Sequence, residues 1–124
     1  MHPRTPLAAA LDTAVVISFI AIGRRNHDED GEISGLVETA APFLIALAIA
    51  WAIWRVWLQP DAVTTGVRVW LTTLGLGMVL RNLVFDDGTA TSFVLIASIF
   101  LGTFIVGWRA VAGALAFRST SRLR

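Results

Sequence analysis

The sequence predicts an all-α fold, an antiparallel bundle of four transmembrane helices that forms one membrane domain over residues 1–124. Three observations support this fold class. First, 56% of the residues are hydrophobic and only 15% are charged; ordinary soluble domains have about 45–50% and roughly 25%. Second, the mean hydropathy is +0.70, and a small soluble domain buries too little surface to hide so much apolar area. Third, four apolar runs approach the ~20 residues that a membrane-spanning helix needs. They cover about residues 7–23, 36–58, 66–85 and 91–109.

The first run follows Arg4 and therefore has the outline of a signal peptide. Asp12 interrupts it, and Gly23-Arg24-Arg25 stands where a small-residue cleavage site is expected. Pro6 suits a first helical turn, where a missing N–H is harmless. We therefore expect a helix that is retained in the mature protein.

The second run has residues that recur at steps of three and four, which places them on one helical face. These residues are Glu38, Ala41, Ile45, Ala48, Ala52 and Arg55. Because the face carries a charge at each end, it is predicted to look into the bundle. Phe43, Ala50 and Trp54 lie roughly on the opposite face and are predicted to look toward lipid.

The third and fourth runs contain pairs of small residues four positions apart, which allow helices to approach closely. The pairs are Thr73 with Gly77, and Ser98 with Gly102. Short polar connections between the runs predict that successive helices are antiparallel neighbours. A basic tail, residues 118–124, follows the fourth run.

All ten basic residues are arginines, and most of them fall on one side of the predicted bundle. That side holds Arg4, Arg55, Arg68, Arg118, Arg122 and Arg124, and the other holds Arg24, Arg25 and Arg81. Cytoplasmic loops collect Lys and Arg, so both termini are predicted to be cytoplasmic in a multi-pass protein of the cell (plasma) membrane. The five tryptophans fall toward the same side.

Charged residues inside the spans predict an inner polar cluster. Asp12 lies about 8 Å from the start of its helix, at 1.5 Å per residue. Arg55, Arg68 and Arg109 lie at similar depth, one on each of the other helices. An intramembrane charge is costly unless it meets a partner or a wet cavity, so Asp12 has three candidate partners.

A second, outer polar cluster is predicted near the opposite membrane face. Its members are Glu38, Arg81, Asn82, Arg24 and His27. His27 has no second histidine at the three- or four-residue spacing of a helical metal site, and we interpret it as a loop residue paired with an acidic neighbour.

The polar loop after the first run resembles the start of a calcium-binding EF-hand loop. Asn26, Asp28 and Asp30 match its first, third and fifth positions, but Val37 stands where the bidentate Glu belongs. Calcium is therefore a weak candidate, and no metal or other cofactor is predicted.

Several function classes are excluded by what the sequence lacks. It has no cysteine, hence no disulfide or thiolate nucleophile. It has no phosphate-binding loop, dinucleotide turn, serine-hydrolase elbow or zinc-protease helix, so we expect no enzymatic activity. A net charge of +1 implies no nucleic-acid partner.

Four segments carry a resemblance to a known family: GRRNHDEDG, TAAPF, GMVLRN and GTATSFVLIASIFLGTFIVGWR. Together they resemble a bacterial and archaeal family of small four-span membrane proteins classed as a domain of unknown function. The resemblance covers nearly the whole chain, with the GRR-x-H and GWR elements as its most specific parts. It implies the four-helix topology and no activity, ligand or catalytic residue.

Two functions are compatible with these features. The leading interpretation is a small transporter or permeation unit for a solute or ion, because a lone carboxylate in the first of four short helices is similar to the small multidrug resistance exporters. The alternative is a non-catalytic accessory or scaffold subunit of a larger membrane complex, in which the charges are packing devices and a charge swap between Asp12 and its arginine partly restores stability. The expected partners are the lipid bilayer and either a second copy of the chain or another membrane subunit.

Overall fold

The structure is a computed structural model that describes residues 3–26, 33–83 and 91–122, with side chains over residues 3–22, 40–83 and 94–115. Across these residues all regular structure is helical, which confirms the predicted fold class. The four helices are α1 (Thr5–Asn26), α2 (Ile33–Trp54), α3 (Val63–Leu83) and α4 (Thr91–Arg122), with a short 3-10 turn at Val56–Leu58.

Three segments of the described chain are long and apolar enough to cross a membrane: Thr5–Ile22, Val63–Leu83 and Val94–Leu115. Helix α2 contributes a shorter apolar segment, Ala40–Trp54. Apolar helices of this length indicate a multi-pass membrane protein, because only a helix or a closed barrel satisfies its backbone within hydrocarbon.

The helices form a closed ring in which α1 packs on α2 and α4, and α3 packs on the same two helices. Side-chain contacts give their directions. Asp12, in the first half of α1, bonds Arg109 in the second half of α4. Phe19, in the second half of α1, lies 5.5 Å from Phe100 in the first half of α4, measured between ring centroids. Helices α1 and α4 are therefore antiparallel. The other neighbouring helices show the same reversal, in the contacts of Asp12 with Trp51, Phe19 with Phe43, Phe43 with Gly77, Trp54 with Thr72, Gly66 with Arg109, and Trp70 with Gly102.

The observed bounds of α1 and α3 agree with the sequence to within three residues, and those of α2 and α4 do not. Helix α2 ends at Trp54 rather than near residue 58. Arg55 adopts the left-handed conformation, with φ 48° and ψ 55°, and its carbonyl accepts a 3.0 Å bond from the N–H of Leu58. Pro60 then prevents any return to the α2 helix.

Helix α4 continues well past Arg109, the end predicted from hydropathy, because polar residues after the apolar run do not by themselves stop a helix. Its backbone remains helical to Arg122, so most of the predicted basic tail, residues 118–124, continues the same helix.

The face of α2 that enters the core is opposite to the predicted one. Phe43 and Ala50, which were expected to contact lipid, are fully buried. Ile45 is 44% exposed and Ala48 is also exposed, although both were expected to face inward. The prediction oriented the helix by its terminal charges, and Arg55 lies beyond the helix end.

Glycines make close helix approach possible, as the small-residue pairs predicted. A methyl group on Gly102 would lie 2.7 Å from Cε2 of the Trp70 indole, and one on Gly77 would overlap the Phe43 ring. The Trp70 ring lies across α4 at this point and donates from Nε1 to the carbonyl of Ser98 at 3.0 Å. The two small-residue pairs therefore accept aromatic rings from neighbouring helices.

The segment that joins α2 to α3 is attached to the N-terminus of α1. Arg4 pairs with Asp61, with 3.5 Å between Nη1 and Oδ2. Thr5 donates from Oγ1 to the carbonyl of Trp57 at 3.4 Å. These contacts hold the connection beneath the end of the bundle where Asp12 lies.

Candidate functional site

A two-point ion pair lies inside the bundle between α1 and α4. Nη1 of Arg109 is 2.8 Å from Oδ1 of Asp12, and Nη2 is 2.8 Å from Oδ2. Neither side chain has any exposed surface. Two parallel N–H···O bonds between planar groups are the strongest geometry that an arginine and a carboxylate can adopt.

Two tryptophans complete the shell around the Asp12 carboxylate. Trp51, on α2, donates from Nε1 to Oδ2 at 3.0 Å, and Trp108, on α4, donates from Nε1 to Oδ1 at 2.9 Å. Each carboxylate oxygen therefore accepts two N–H bonds, which uses the roughly four lone-pair positions that an ionised carboxylate offers. Asp12 has no acceptor position left for a further ligand.

The guanidinium of Arg109 is held by three further contacts. Its Nε donates to the carbonyl of Pro60 at 2.7 Å, and Nη1 also donates to the carbonyl of Ile105 at 2.9 Å. The guanidinium carbon lies 4.4 Å from the centroid of the Trp108 ring, within the range of a cation–π interaction. Arg109 thus ties α4 to α1 and to the connection between α2 and α3.

Gly66 on α3 has no side chain and so leaves space for the Arg109 side chain to pass. A methyl group at Gly66 would lie 2.7 Å from Cδ of Arg109. Every helix of the bundle therefore contributes to this centre, which we call the Asp12–Arg109 centre and define by Asp12, Trp51, Trp108 and Arg109, with Gly66 and the Pro60 carbonyl.

Of the four residues predicted for the inner polar cluster, the structure brings Asp12 and Arg109 together and leaves Arg55 and Arg68 apart from them. Arg55 and Arg68 are exposed and make no contact with the carboxylate. Arg55 points away because it follows the end of α2 in a left-handed turn. The Arg68 guanidinium lies 5.1 Å from the Trp54 ring centroid, on the outer surface of α2 and α3.

The outer polar cluster lies largely outside the described side chains. The side chains of Glu38 and Arg24, and the whole of His27, fall there, so the cluster stays a prediction. Asn82 donates from Nδ2 to the carbonyl of Met78 at 3.1 Å, one turn back on its own helix, and Arg81 is partly exposed.

The calcium candidates also lie beyond what the structure describes. Asp28 and Asp30 are outside the described residues, and Asn26 is described only as the last backbone position of α1. Among the side chains that are described, no three His, Asp or Glu come together as a metal site would require.

Sequence reasoning missed the two tryptophans and Gly66. The sequence places Trp51 and Trp108 only on the arginine-rich side of the bundle, whereas the structure shows their indole N–H groups bonded to a buried carboxylate. Their depth in the membrane could have indicated this role. Both tryptophans lie at the level predicted for Asp12, and a buried carboxylate needs N–H donors.

Comparison with known proteins gives a family. Residues 9–112 match the family described as protein of unknown function (DUF3054). The chain belongs to DUF3054. No curated protein and no solved structure matched it. The matched range includes Asp12, Trp51, Gly66, Trp108 and Arg109, so the whole Asp12–Arg109 centre lies within the DUF3054 region of this chain.

The contacts of this DUF3054 centre restrain the positions of the helices. A buried carboxylate that accepts four N–H bonds is fully compensated for its loss of water, and the guanidinium is compensated by Asp12 and two carbonyls. The low dielectric around the pair strengthens each bond and raises the cost of breaking any of them. The arrangement fixes the relative positions of all four helices at one end of the bundle.

Proposed function

We propose that this DUF3054 protein is a non-catalytic accessory or scaffold subunit of a membrane complex. The observation that carries the proposal is the saturation of Asp12 by two guanidinium bonds and two indole bonds. The one acidic side chain described within the bundle is committed to joining helices. The protein's role is then to present a rigid four-helix unit to a partner.

A transport role receives less support from the same geometry. A carrier that used Asp12 would need an acceptor position open to a proton, ion or cationic solute at some stage of its cycle. Opening one here would leave at least one buried donor of Arg109, Trp51 or Trp108 without a partner, and an unsatisfied buried group costs about 1–3 kcal/mol, more where it is charged.

The outer face of α4 supports a protein partner rather than lipid alone. Opposite its buried face, α4 carries small side chains at helical spacing where lipid-facing helices usually carry large ones. They are Thr103, Gly107, Ala110 and Ala114. A methyl group placed on Gly107 would meet open space. Small residues at such spacing are typical of contacts between membrane helices.

We also propose that the protein lies in the plasma membrane with both termini cytoplasmic, which places the Asp12–Arg109 centre in the cytoplasmic half of the bundle. The arginine distribution supports this orientation. A partner subunit would then contact α4 over the stretch from Thr103 toward the cytoplasmic surface.

Native mass spectrometry after gentle extraction from the source membrane tests the proposal. The wild-type chain is expected to carry a second polypeptide at fixed stoichiometry. Gly107→Leu should remove that polypeptide without unfolding the bundle, because the added side chain meets open space. Gly75→Leu is the matched control on α3, where the space is also open, and should retain the partner.

A different outcome would favour transport. If the extracted protein is a homo-oligomer with no other subunit, and Asp12→Asn abolishes solute or proton flux with the free energy of unfolding unchanged, the accessory proposal is wrong. Under the proposal the Asp12→Asn protein loses stability, and any loss of flux merely follows from that loss.

A further inference from the structure

A small open cavity lies where α2 ends and α3 begins, on the outer surface of the bundle. Its volume is about 280 Å³ and its lining is Trp54, Arg55, Leu58, Gln59, Thr65 and Arg68. This volume is slightly below the ~300–1,000 Å³ of ordinary small-molecule sites, so it fits part of a ligand better than a whole one. Two guanidinium groups border it.

Neither of these guanidinium groups is neutralised within the described part of the chain. The acidic side chains described there, Asp12 and Asp61, pair with Arg109 and Arg4. Arg55 and Arg68 thus form a local excess of positive charge at a membrane surface. Such a pair of planar forks matches the oxygens of a phosphate group.

The Arg68 side chain is held in place before any ligand arrives. Its guanidinium lies 5.1 Å from the centroid of the Trp54 ring, and the Trp54 indole is fixed by a 2.8 Å bond from Nε1 to Oγ1 of Thr72. Arg68 also lines the cavity, so the held guanidinium is available to an anion there. A preorganised cation loses less entropy when it binds an anion.

Arg55 occupies a backbone conformation that disfavours its own side chain. It has φ 48°, in a left-handed turn that directly follows a helix, where Gly or Asn is the usual residue. Non-glycine residues in this region of conformational space are concentrated at functional sites. The side chain at this position lines the cavity and is exposed.

Exposed apolar side chains lie within three residues of the two arginines along the chain. Ile53 is 59% exposed, Leu58 is 61% exposed and Leu71 is 54% exposed. A ligand that filled the cavity with an anionic group would therefore contact hydrocarbon-facing surface with the rest of its structure. A molecule with an anionic phosphate group and apolar chains is a phospholipid.

We propose that Arg55 and Arg68 bind the headgroup phosphate of an anionic phospholipid, whose acyl chains lie along Ile53, Leu58 and Leu71. Basic pockets between transmembrane helices at the cytoplasmic face bind anionic headgroups in this way. The site is separate from the Asp12–Arg109 centre, and it requires no partner protein.

The test uses the purified full chain in nanodiscs of phosphatidylcholine with and without phosphatidylglycerol, and counts the lipids that remain bound by native mass spectrometry. The wild-type chain is expected to retain phosphatidylglycerol in preference to phosphatidylcholine. Arg55→Gln and Arg68→Gln should each reduce that retention about fivefold, which corresponds to the ~1 kcal/mol expected per basic residue near anionic lipid.

Arg4→Gln is the matched control, because it removes the same charge on the same predicted side, outside the cavity. It should leave lipid retention unchanged. Arg55→Gly provides a second variant that removes the charge and relieves the backbone, so that a loss of lipid cannot be assigned to misfolding. Equal retention by all four variants and the wild-type chain would overturn the proposal.

A separate arm distinguishes lipid from free anion. Inorganic phosphate is added to the chain in pure phosphatidylcholine nanodiscs, and the thermal midpoint is measured. If the site binds lipid, inorganic phosphate should leave the thermal midpoint unchanged at molar concentrations equal to those at which phosphatidylglycerol is retained. A saturating shift that needs Arg55 and Arg68, without any preference for phosphatidylglycerol, would assign the cavity to free phosphate and overturn the lipid assignment.

Discussion

The carboxylate of Asp12 and the guanidinium of Arg109 face each other in a two-point ion pair with both N···O distances at 2.8 Å, and neither side chain reaches the surface. Asp12 lies near the N-terminal end of the sequence and Arg109 near the C-terminal end. Their pairing closes the ring of helices between α1 and α4. Four N–H donors converge on the carboxylate, so removal of any one leaves a buried acceptor position empty.

Asp12→Asn should destabilise the bundle by about 3–5 kcal/mol, the usual consequence of leaving one member of a buried ion pair without its partner. The free energy of unfolding, measured by denaturant titration in bicelles, reports this loss. Ser18→Ala, at an exposed position of the same helix, is the control and should change little. An Asp12→Asn protein as stable as the wild type would show that the pair contributes nothing.

The sequence alone led us to expect partial rescue from a charge swap, but the contacts around the pair change that expectation: Asp12→Arg with Arg109→Asp should fail to restore stability. The indoles of Trp51 and Trp108 donate toward position 12, and an arginine there has no acceptor to offer them. The carbonyl of Pro60 would likewise face a carboxylate. The unfolding free energy of the double variant should stay at or below that of either single variant, and recovery toward wild type would mean that charge alone holds the helices.

Trp108→Phe should cost more stability than Trp51→Phe. Both remove one N–H bond to a charged group, worth about 1.5–3 kcal/mol. Trp108 also lies 4.4 Å from the Arg109 guanidinium carbon, and phenylalanine is a weaker cation–π partner than tryptophan. Thermal midpoints of the two variants in one detergent give the order directly, and the reverse order would contradict the geometry described.

Gly66→Ala should destabilise the protein by about 1–3 kcal/mol, because its methyl group would be forced against Cδ of an arginine that cannot move without breaking buried bonds. Gly75→Ala is the matched substitution in the same helix. It meets open space and should stabilise α3 by about 0.5–1 kcal/mol. Parallel unfolding titrations compare the two, and equal effects would argue against a close approach at Gly66.

Arg55→Gly should raise stability by about 1–2 kcal/mol, the approximate cost of a side chain in the left-handed conformation. Arg55→Asn should recover part of this gain, since Asn tolerates the conformation better than Arg. Both variants keep the end of α2 where it is. If Arg55→Gly melts below wild type, the turn depends on contacts of the Arg55 side chain.

The sequence was sufficient to predict the four-helix bundle, because membrane thickness sets the length of each apolar run and short connections make successive helices antiparallel neighbours. It was also sufficient to propose Arg109 as a partner of Asp12 from matched depth. Depth could not choose among Arg55, Arg68 and Arg109, because rotation about each helix axis decides which side chain points inward.

The rotation of α2 was wrong for a specific physical reason. Its orientation was inferred from charges at its ends, on the assumption that both lay within the helix and faced inward. Arg55 instead follows the helix end in a left-handed turn that no glycine marks in the sequence. The buried residues Phe43, Ala46, Leu47 and Ala50 have helical spacing of their own, and that apolar stripe was the better guide.

A double-mutant cycle of Asp12→Asn and Arg109→Gln measures whether the Asp12–Arg109 pair is a structural clamp. The free energies of unfolding of the wild type, both single variants and the double variant are measured in the same bicelles. A structural clamp should give a coupling energy of about 2 kcal/mol or more between the two residues. A coupling energy near zero, with additive single effects, would show that the two side chains do not clamp the helices together.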